Sequence, residues 1–118
     1  MTLEGTRVLV IEDEAIIAMT AEDMLEELGC VLAGTAGTLA EAMAAAERGG
    51  FDVALLDINL NGHESLPVAE KLKESGTPYV FTTGYGAAGF GPGHDAPLVT
   101  KPYRIGDLEA AIREALRR

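Results

Sequence analysis

Two periodicities alternate along this chain, and that alternation most constrains its fold. Short apolar runs at Arg7–Ile11, Cys30–Ala33, Val53–Leu56, Tyr79–Phe81 and Leu98–Thr100 read as strands, and longer stretches with a 3.6-residue apolar period lie between them. Strand and helix patterns in strict alternation argue for βα units and a parallel sheet. The first helix follows Asp13, with Ile17, Ala21, Met24, Leu25 and Leu28 on one face, and Gly29 stops it. The second carries Leu39, Ala42, Met43 and Ala46 behind a capping box of Thr38 and Glu41, and ends at Gly49-Gly50. The third, about Ser65 to Ser75, turns Val68, Ala69 and Leu72 inward and tolerates Pro67 in its first turn. The last, about Ile105 to Arg117, aligns Leu108, Ala111, Ile112, Ala115 and Leu116.

One segment breaks the alternation. Between Gly84 and Pro97 the chain reads GYGAAGFGPGHDAP, with glycine at 84, 86, 89, 91 and 93 and proline at 92. Each interior glycine costs a helix about 1 kcal/mol and an interior proline about 3. A short, frayed fourth helix or a mobile loop is predicted there.

Each apolar run ends in a polar signature. The first meets Glu12-Asp13, the third Asp57, the fourth Thr82-Thr83 and the fifth Lys101-Pro102, while the second runs into Gly34-Thr35. Ligands of open parallel sheets sit outside the carboxyl ends of the strands. Parallel strands would therefore bring Glu12, Asp13, Asp57, Thr83 and Lys101 to one mouth. Three carboxylates, a hydroxyl and a cation there suit a divalent metal and a phosphoryl group. Singly, each has an ordinary structural reading: a solvated helix entry, a turn residue, a strand-end cap, a loop. Their convergence at one sheet edge is what distinguishes them. His63 and His94 read as surface loop residues.

This order of motifs resembles the receiver domain of two-component response regulators, from Arg7 to about Leu116. The resemblance implies a flavodoxin-like (βα)5 α/β fold, a five-stranded parallel sheet of order 2-1-3-4-5 with helices on both faces. It also implies that Asp57 accepts a phosphoryl group from a histidine kinase or histidine phosphotransfer protein. Asp13 and Asp57 would ligate Mg2+ or Mn2+ directly, the backbone carbonyl of Asn59 would add an oxygen, and Glu12 would act partly through water. Lys101 would bind Asp57 at rest and a phosphoryl oxygen afterwards, Thr83 would donate its hydroxyl, and the bond before Pro102 would be cis. Clustered acids of this kind should hold one carboxyl above its ordinary pKa.

Phe81-Thr82-Thr83-Gly84-Tyr85 behind Pro78, with Asp57-Ile58-Asn59-Leu60 before Gly62, is similar to the alphaproteobacterial FAT GUY receivers, with Thr82 in place of an alanine. Members of that group work as single-domain regulators or attached to HWE-type or related histidine kinases. Ordinary receivers often carry an aromatic residue three positions before the lysine. Leu98 stands here instead, and Tyr85 is the candidate replacement in the switch.

Other readings fit less well. A phosphohydrolase needs a second acid two residues after the nucleophile, where Asn59 stands; a nucleotide-binding flavodoxin-like protein needs a glycine-rich loop where Glu12-Asp13-Glu14 stands. A receiver that only docks would not need the full set of acids and lysine. The chain is read as one receiver domain, residues 1–118, complete in itself, with a module from a hybrid kinase as the alternative. It signals by protein contact or serves as a phosphate sink, and is not an enzyme beyond its own phosphotransfer and slow dephosphorylation.

The net charge of −10 opposes a nucleic-acid backbone, since no surplus of Lys and Arg exists to displace counterions. Salt-sensitive retention of a DNA duplex is accordingly not expected in a filter-binding measurement. A single cysteine, Cys30, permits no internal disulfide and reads as a buried, inert thiol. The opening MTLEGTR has no signal-peptide pattern, and no run approaches the roughly 20 apolar residues of a membrane span. A cytoplasmic location is expected.

Overall fold

A computed structural model describes residues 3–60, 62–84 and 96–117. Its main sheet is built from β1 (Arg7–Ile11), β2 (Val31–Ala36), β3 (Val53–Asp57), β6 (Tyr79–Thr83) and β7 (Leu98–Thr100). All pair in parallel, in the order β2-β1-β3-β6-β7, which is the expected 2-1-3-4-5 arrangement. Two further short strands, β4 (Asn59–Leu60) and β5 (His63–Glu64), form a separate antiparallel hairpin. The helices are α1 (Ala15–Glu27), α2 (Leu39–Arg48), α3 (Leu66–Glu74) and α4 (Ile105–Arg117).

Strand alternation divides the interior into two layers. Val8, Val10, Val53, Leu55 and Val80 point to a layer with Ala18, Ala21 and Leu25 of α1 and Leu108, Ala111, Ile112 and Ala115 of α4. Leu9, Ile11, Ala54, Leu56 and Phe81 point the other way, to Ala42, Ala45 and Ala46 of α2 and Val68, Ala69 and Leu72 of α3. A strand covered on both faces reads as an unbroken apolar run, and all five residues of β3 are buried. That burial carries Asp57, its last residue, into the interior edge of the sheet.

The expectation for the second strand, Cys30–Ala33, is displaced: the strand runs Val31–Ala36. As an edge strand it is exposed at four of its six positions, so hydrophobic pattern marks it poorly. Its register against β1 also shifts between Val8 and Leu9. The capping box at α2 forms with one change. Thr38 Oγ1 accepts from the Glu41 N–H at 3.1 Å, but Glu41 Oε1 accepts from Gly37 rather than from the cap residue itself, at 2.9 Å. Gly29, Gly49 and Gly76 end their helices at positive φ of 85°, 71° and 73°.

The predicted weak fourth helix falls on 85–95, outside the described residues, as does the switch candidate Tyr85. Among the described residues no helix is long and apolar enough to cross a membrane. Cys30 is buried, its thiol directed at the Leu3 carbonyl at 3.7 Å, and burial raises its pKa. That makes it inert, as its place in the sequence implies.

Candidate functional site

The carboxyl ends of β1, β3 and β7 deliver the ionisable groups. Ile11, the last residue of β1, lies opposite Leu56 on β3, so Glu12 and Asp57 extend side by side from the two central strands. Lys101 follows the end of β7, and its backbone N–H bonds the Thr83 carbonyl at 2.7 Å. From there its ammonium reaches both acids: Nζ lies 3.0 Å from Glu12 Oε1 and 3.0 Å from Asp57 Oδ2. The three side chains are 10%, 1% and 5% exposed, so this is an almost dry triad.

Each oxygen of Asp57 is occupied differently. Oδ2 accepts from Lys101, while Oδ1 accepts from the Asn59 N–H at 3.1 Å. The Asn59 side chain is turned elsewhere, its Oδ1 accepting from Gly62 at 2.8 Å to close the β4–β5 turn, where Gly62 has φ +82°. Asp13 is half-buried beside the pair, and one carboxylate oxygen from each of Glu12, Asp13 and Asp57 lies within 4.8 Å of the others. Thr83 ends β6 and is buried. It lies one residue past Thr82, which pairs with Asp57 in register. The Lys101–Pro102 peptide is cis.

Three acids against one ammonium leave an excess of negative charge in a poorly solvated space. Burial is the main reason Glu12 is raised to about 7, with Asp57 adding to the rise and hydrogen bonds from Lys101 and the Glu14 N–H opposing it. The raised carboxyl anticipated from acid clustering is therefore Glu12. For Lys101, burial works against the charge, but hydrogen bonds to Asp57 and Glu12 outweigh it and hold the ammonium above its ordinary pKa. The cluster offers only hard oxygen ligands at close spacing, a donor set that fits a hard divalent cation.

Glu12, Asp57 and Lys101 thus meet in direct contact, and Asp13 joins them as a neighbour. Two residues at the site carried no role in the sequence reading. Tyr103 is buried two positions after Lys101, where burial pushes its phenol up to about 12, and Thr82 is buried near the end of β6. Their only sequence signal is polarity: a hydroxyl at the end of an apolar strand, and a phenol just past Lys101-Pro102. Ser65, at the head of α3, is fully buried, and its Oγ has no hydrogen-bond partner among the described residues.

A family model for the response regulator receiver domain matches residues 8–113. The chain is 34% identical to the transcriptional regulatory protein TcrA of Mycobacterium tuberculosis, over 98% of this chain and 48% of that protein. It is 35% identical to the phyllosphere-induced regulator PhyR of Methylorubrum extorquens, over 95% of this chain and 44% of that one. The chain spans about half the length of the curated relatives it matches. Among solved structures, SdrG from Sphingomonas melonis Fr1 superposes with a TM-score of 0.85 at 40% identity, covering 100% of both chains. The receiver domain of Erythrobacter litoralis PhyR gives 0.83 at 34% identity, over 97% of this chain and 92% of that one.

Proposed function

Because this chain belongs to the response regulator receiver domain family and so to two-component signalling, we propose that Asp57 is its phosphoacceptor. The observation that carries this reading is the buried triad, in which one ammonium bridges Glu12 and Asp57 with Asp13 alongside. An Asp57 carboxylate oxygen attacks the phosphorus of a phosphohistidine. The bond from phosphorus to the donor nitrogen breaks, that nitrogen keeps the electron pair, and an acyl phosphate is left on Asp57. The Asn59 N–H holds Oδ1 and the Lys101 ammonium holds Oδ2, so the carboxylate is oriented before a donor arrives. As the phosphoryl group forms its bond, Lys101 turns from Asp57 to a phosphoryl oxygen, a movement its flexible stem allows. Thr83 donates its hydroxyl to another.

Asp13 and Asp57, the Asn59 carbonyl and, through water, Glu12 would hold Mg2+ or Mn2+. When bound, such an ion neutralises the charge that accumulates between the acids and an incoming phosphoryl group. The donor is a histidine kinase or a histidine phosphotransfer protein, and the FAT GUY-like residues favour an HWE-type kinase. We read residues 1–118 as one receiver domain, cytoplasmic, acting by protein contact or as a phosphate sink. Its only chemistry is its own phosphotransfer and slow dephosphorylation. Tyr85 is retained as the aromatic member of the switch, since Leu98 leaves that role open.

Acetyl phosphate and Mg2+ should add a single phosphoryl group by intact mass, and a chelator should prevent it. Asp13→Ala should weaken Mg2+ binding roughly tenfold or more, whereas Glu26→Ala on the exposed side of α1 should leave it unchanged. Equal effects from the two changes would mean that general acidity, and not this cluster, attracts the ion.

A further inference from the structure

Between Asp57 and α3 the chain makes the β4–β5 hairpin, whose strands are two residues each and, Leu60 apart, exposed. A pair this short is marginal by itself. Its turn is closed by Asn59 Oδ1, which accepts from the Gly62 N–H at 2.8 Å. At its base the Ser65 N–H donates to the Ile58 carbonyl at 2.9 Å, and Leu60 is buried in the layer of α2 and α3. Gly62 has φ +82°, and a Cβ there would meet nothing within 4 Å. A side chain at that position therefore acts through backbone strain and not through a clash.

The hairpin's register decides where its backbone groups point. Asn59 lies opposite Glu64, and Leu60 opposite His63. Bonded and unbonded partners alternate along an antiparallel pair. The Ile58–Ser65 bond thus makes Asn59–Glu64 an unbonded pair, and the Asn59 N–H and carbonyl both point out of the hairpin. The peptide plane gives the same answer. The Ile58 carbonyl and the Asn59 N–H belong to one trans peptide and point in opposite directions. With Ser65 holding the carbonyl on one side, the N–H emerges on the other, where Asp57 Oδ1 accepts it at 3.1 Å. The Ser65 carbonyl in turn accepts from the Val68 and Ala69 N–H groups at 2.9 and 3.2 Å. A continuous run of bonds thereby joins the head of α3 to the Asp57 carboxylate.

We propose that Asn59 and Gly62 are positioning residues for Asp57: by closing the hairpin they keep Ser65 opposite Ile58, and so keep the Asn59 N–H aimed at Oδ1. Both act through the backbone, and neither needs to touch the phosphoryl group. Oδ2 is left to Lys101, so the carboxylate is fixed from two sides. The inference rests on the phosphoacceptor reading only for its effect on transfer, and its effect on the resting carboxylate is independent of it.

Two substitutions open the turn by different routes. Asn59→Ala removes the acceptor at an exposed position, and Gly62→Val keeps the N–H but forces a β-branched residue to φ +82°. In metal-free, donor-free protein, the backbone amide at position 59 should lose roughly fivefold to tenfold of its protection against exchange with water in both. Protection is taken relative to the intrinsic rate of each sequence. With acetyl phosphate at saturating Mg2+, kcat should fall by a comparable factor while KM for the donor stays, because carboxylate orientation acts once the donor is bound. Gly62→Asn tolerates the left-handed region and should keep both values at wild type. Circular dichroism checks that each variant is folded, and if Gly62→Val is not, Asn59→Ala decides the point. Wild-type protection at position 59 in folded Asn59→Ala, or equal losses in Gly62→Asn and Gly62→Val, overturns the proposal. If wild-type protein takes no phosphate, the acceptor assignment fails, and the amide at position 59 still decides the role of the hairpin.

Discussion

Asp57→Asn is expected to take no phosphate from acetyl phosphate with Mg2+ present, where the unaltered chain takes one. The amide keeps the shape of the carboxylate but loses the charge and the nucleophilic oxygen that the reaction needs. Glu12 and Asp13 do not replace it. Glu12 is held by Lys101 and the Glu14 N–H, and burial keeps it partly protonated near neutral pH. Asp13 lies a step outside the dry triad, half-buried where Glu12 and Asp57 are buried. The variant should fold, because removing one of three crowded acids relieves repulsion and leaves the Glu12–Lys101 contact in place. Intact mass with a matched circular dichroism spectrum checks both halves. Undiminished labelling of a folded variant would sink the assignment of the acceptor.

Lys101→Met should cause the largest loss of stability in the metal-free protein. Methionine replaces most of the stem and removes the ammonium, leaving the Glu12 and Asp57 carboxylates buried with no cation between them. Removing one partner of a buried pair costs about 3–5 kcal/mol. The lower end is expected here, because Glu12 can take up a proton instead.

The sign of the pH dependence follows from Glu12. Its pKa is raised from 4.5 to about 7, so the folded chain holds that proton more tightly than the unfolded chain does. This contribution favours the fold most below the unfolded value, is lost as pH rises from about 4.5 to about 7, and is flat above that. Lys101 is the leading influence that lowers this pKa. Without it the window extends upward, and the gap between variant and wild type should be wider at pH 8 than at pH 6. Urea unfolding at both pH values measures it, and saturating Mg2+ should recover part of the loss. A variant as stable as wild type at pH 8 without divalent ions would mean that the ammonium does not hold the two acids.

Much of this molecule is determined locally, and that part was legible in the sequence. Continuous apolar runs mark β1, β3 and β6 because strands covered on both faces admit little else. A 3.6-residue period marks the helices because each buries one face, and glycines at positive φ mark where three of them stop. Since parallel strands all point one way, the polar residues that follow them must share an edge. Strand direction alone therefore groups Glu12, Asp13, Asp57, Thr83 and Lys101 at that edge.

What the tertiary structure alone decided depends on register and burial across several strands. The extent of β2 was hidden because an exposed edge strand has no buried face to impose a pattern. The β4–β5 hairpin depends on Asn59 bending back to Gly62, a contact that competes with other uses of the same amide. Glu12 is one acid among several in the sequence, yet its pKa is raised to about 7, because burial outweighs the hydrogen bonds from Lys101 and the Glu14 N–H. The burial of Tyr103 requires the loop after β7 to turn back against the layer formed with α1 and α4. Local composition dictates which residues gather at the edge; their charges and contacts follow from packing, because desolvation and hydrogen bonding are properties of the assembled interior and of no residue alone.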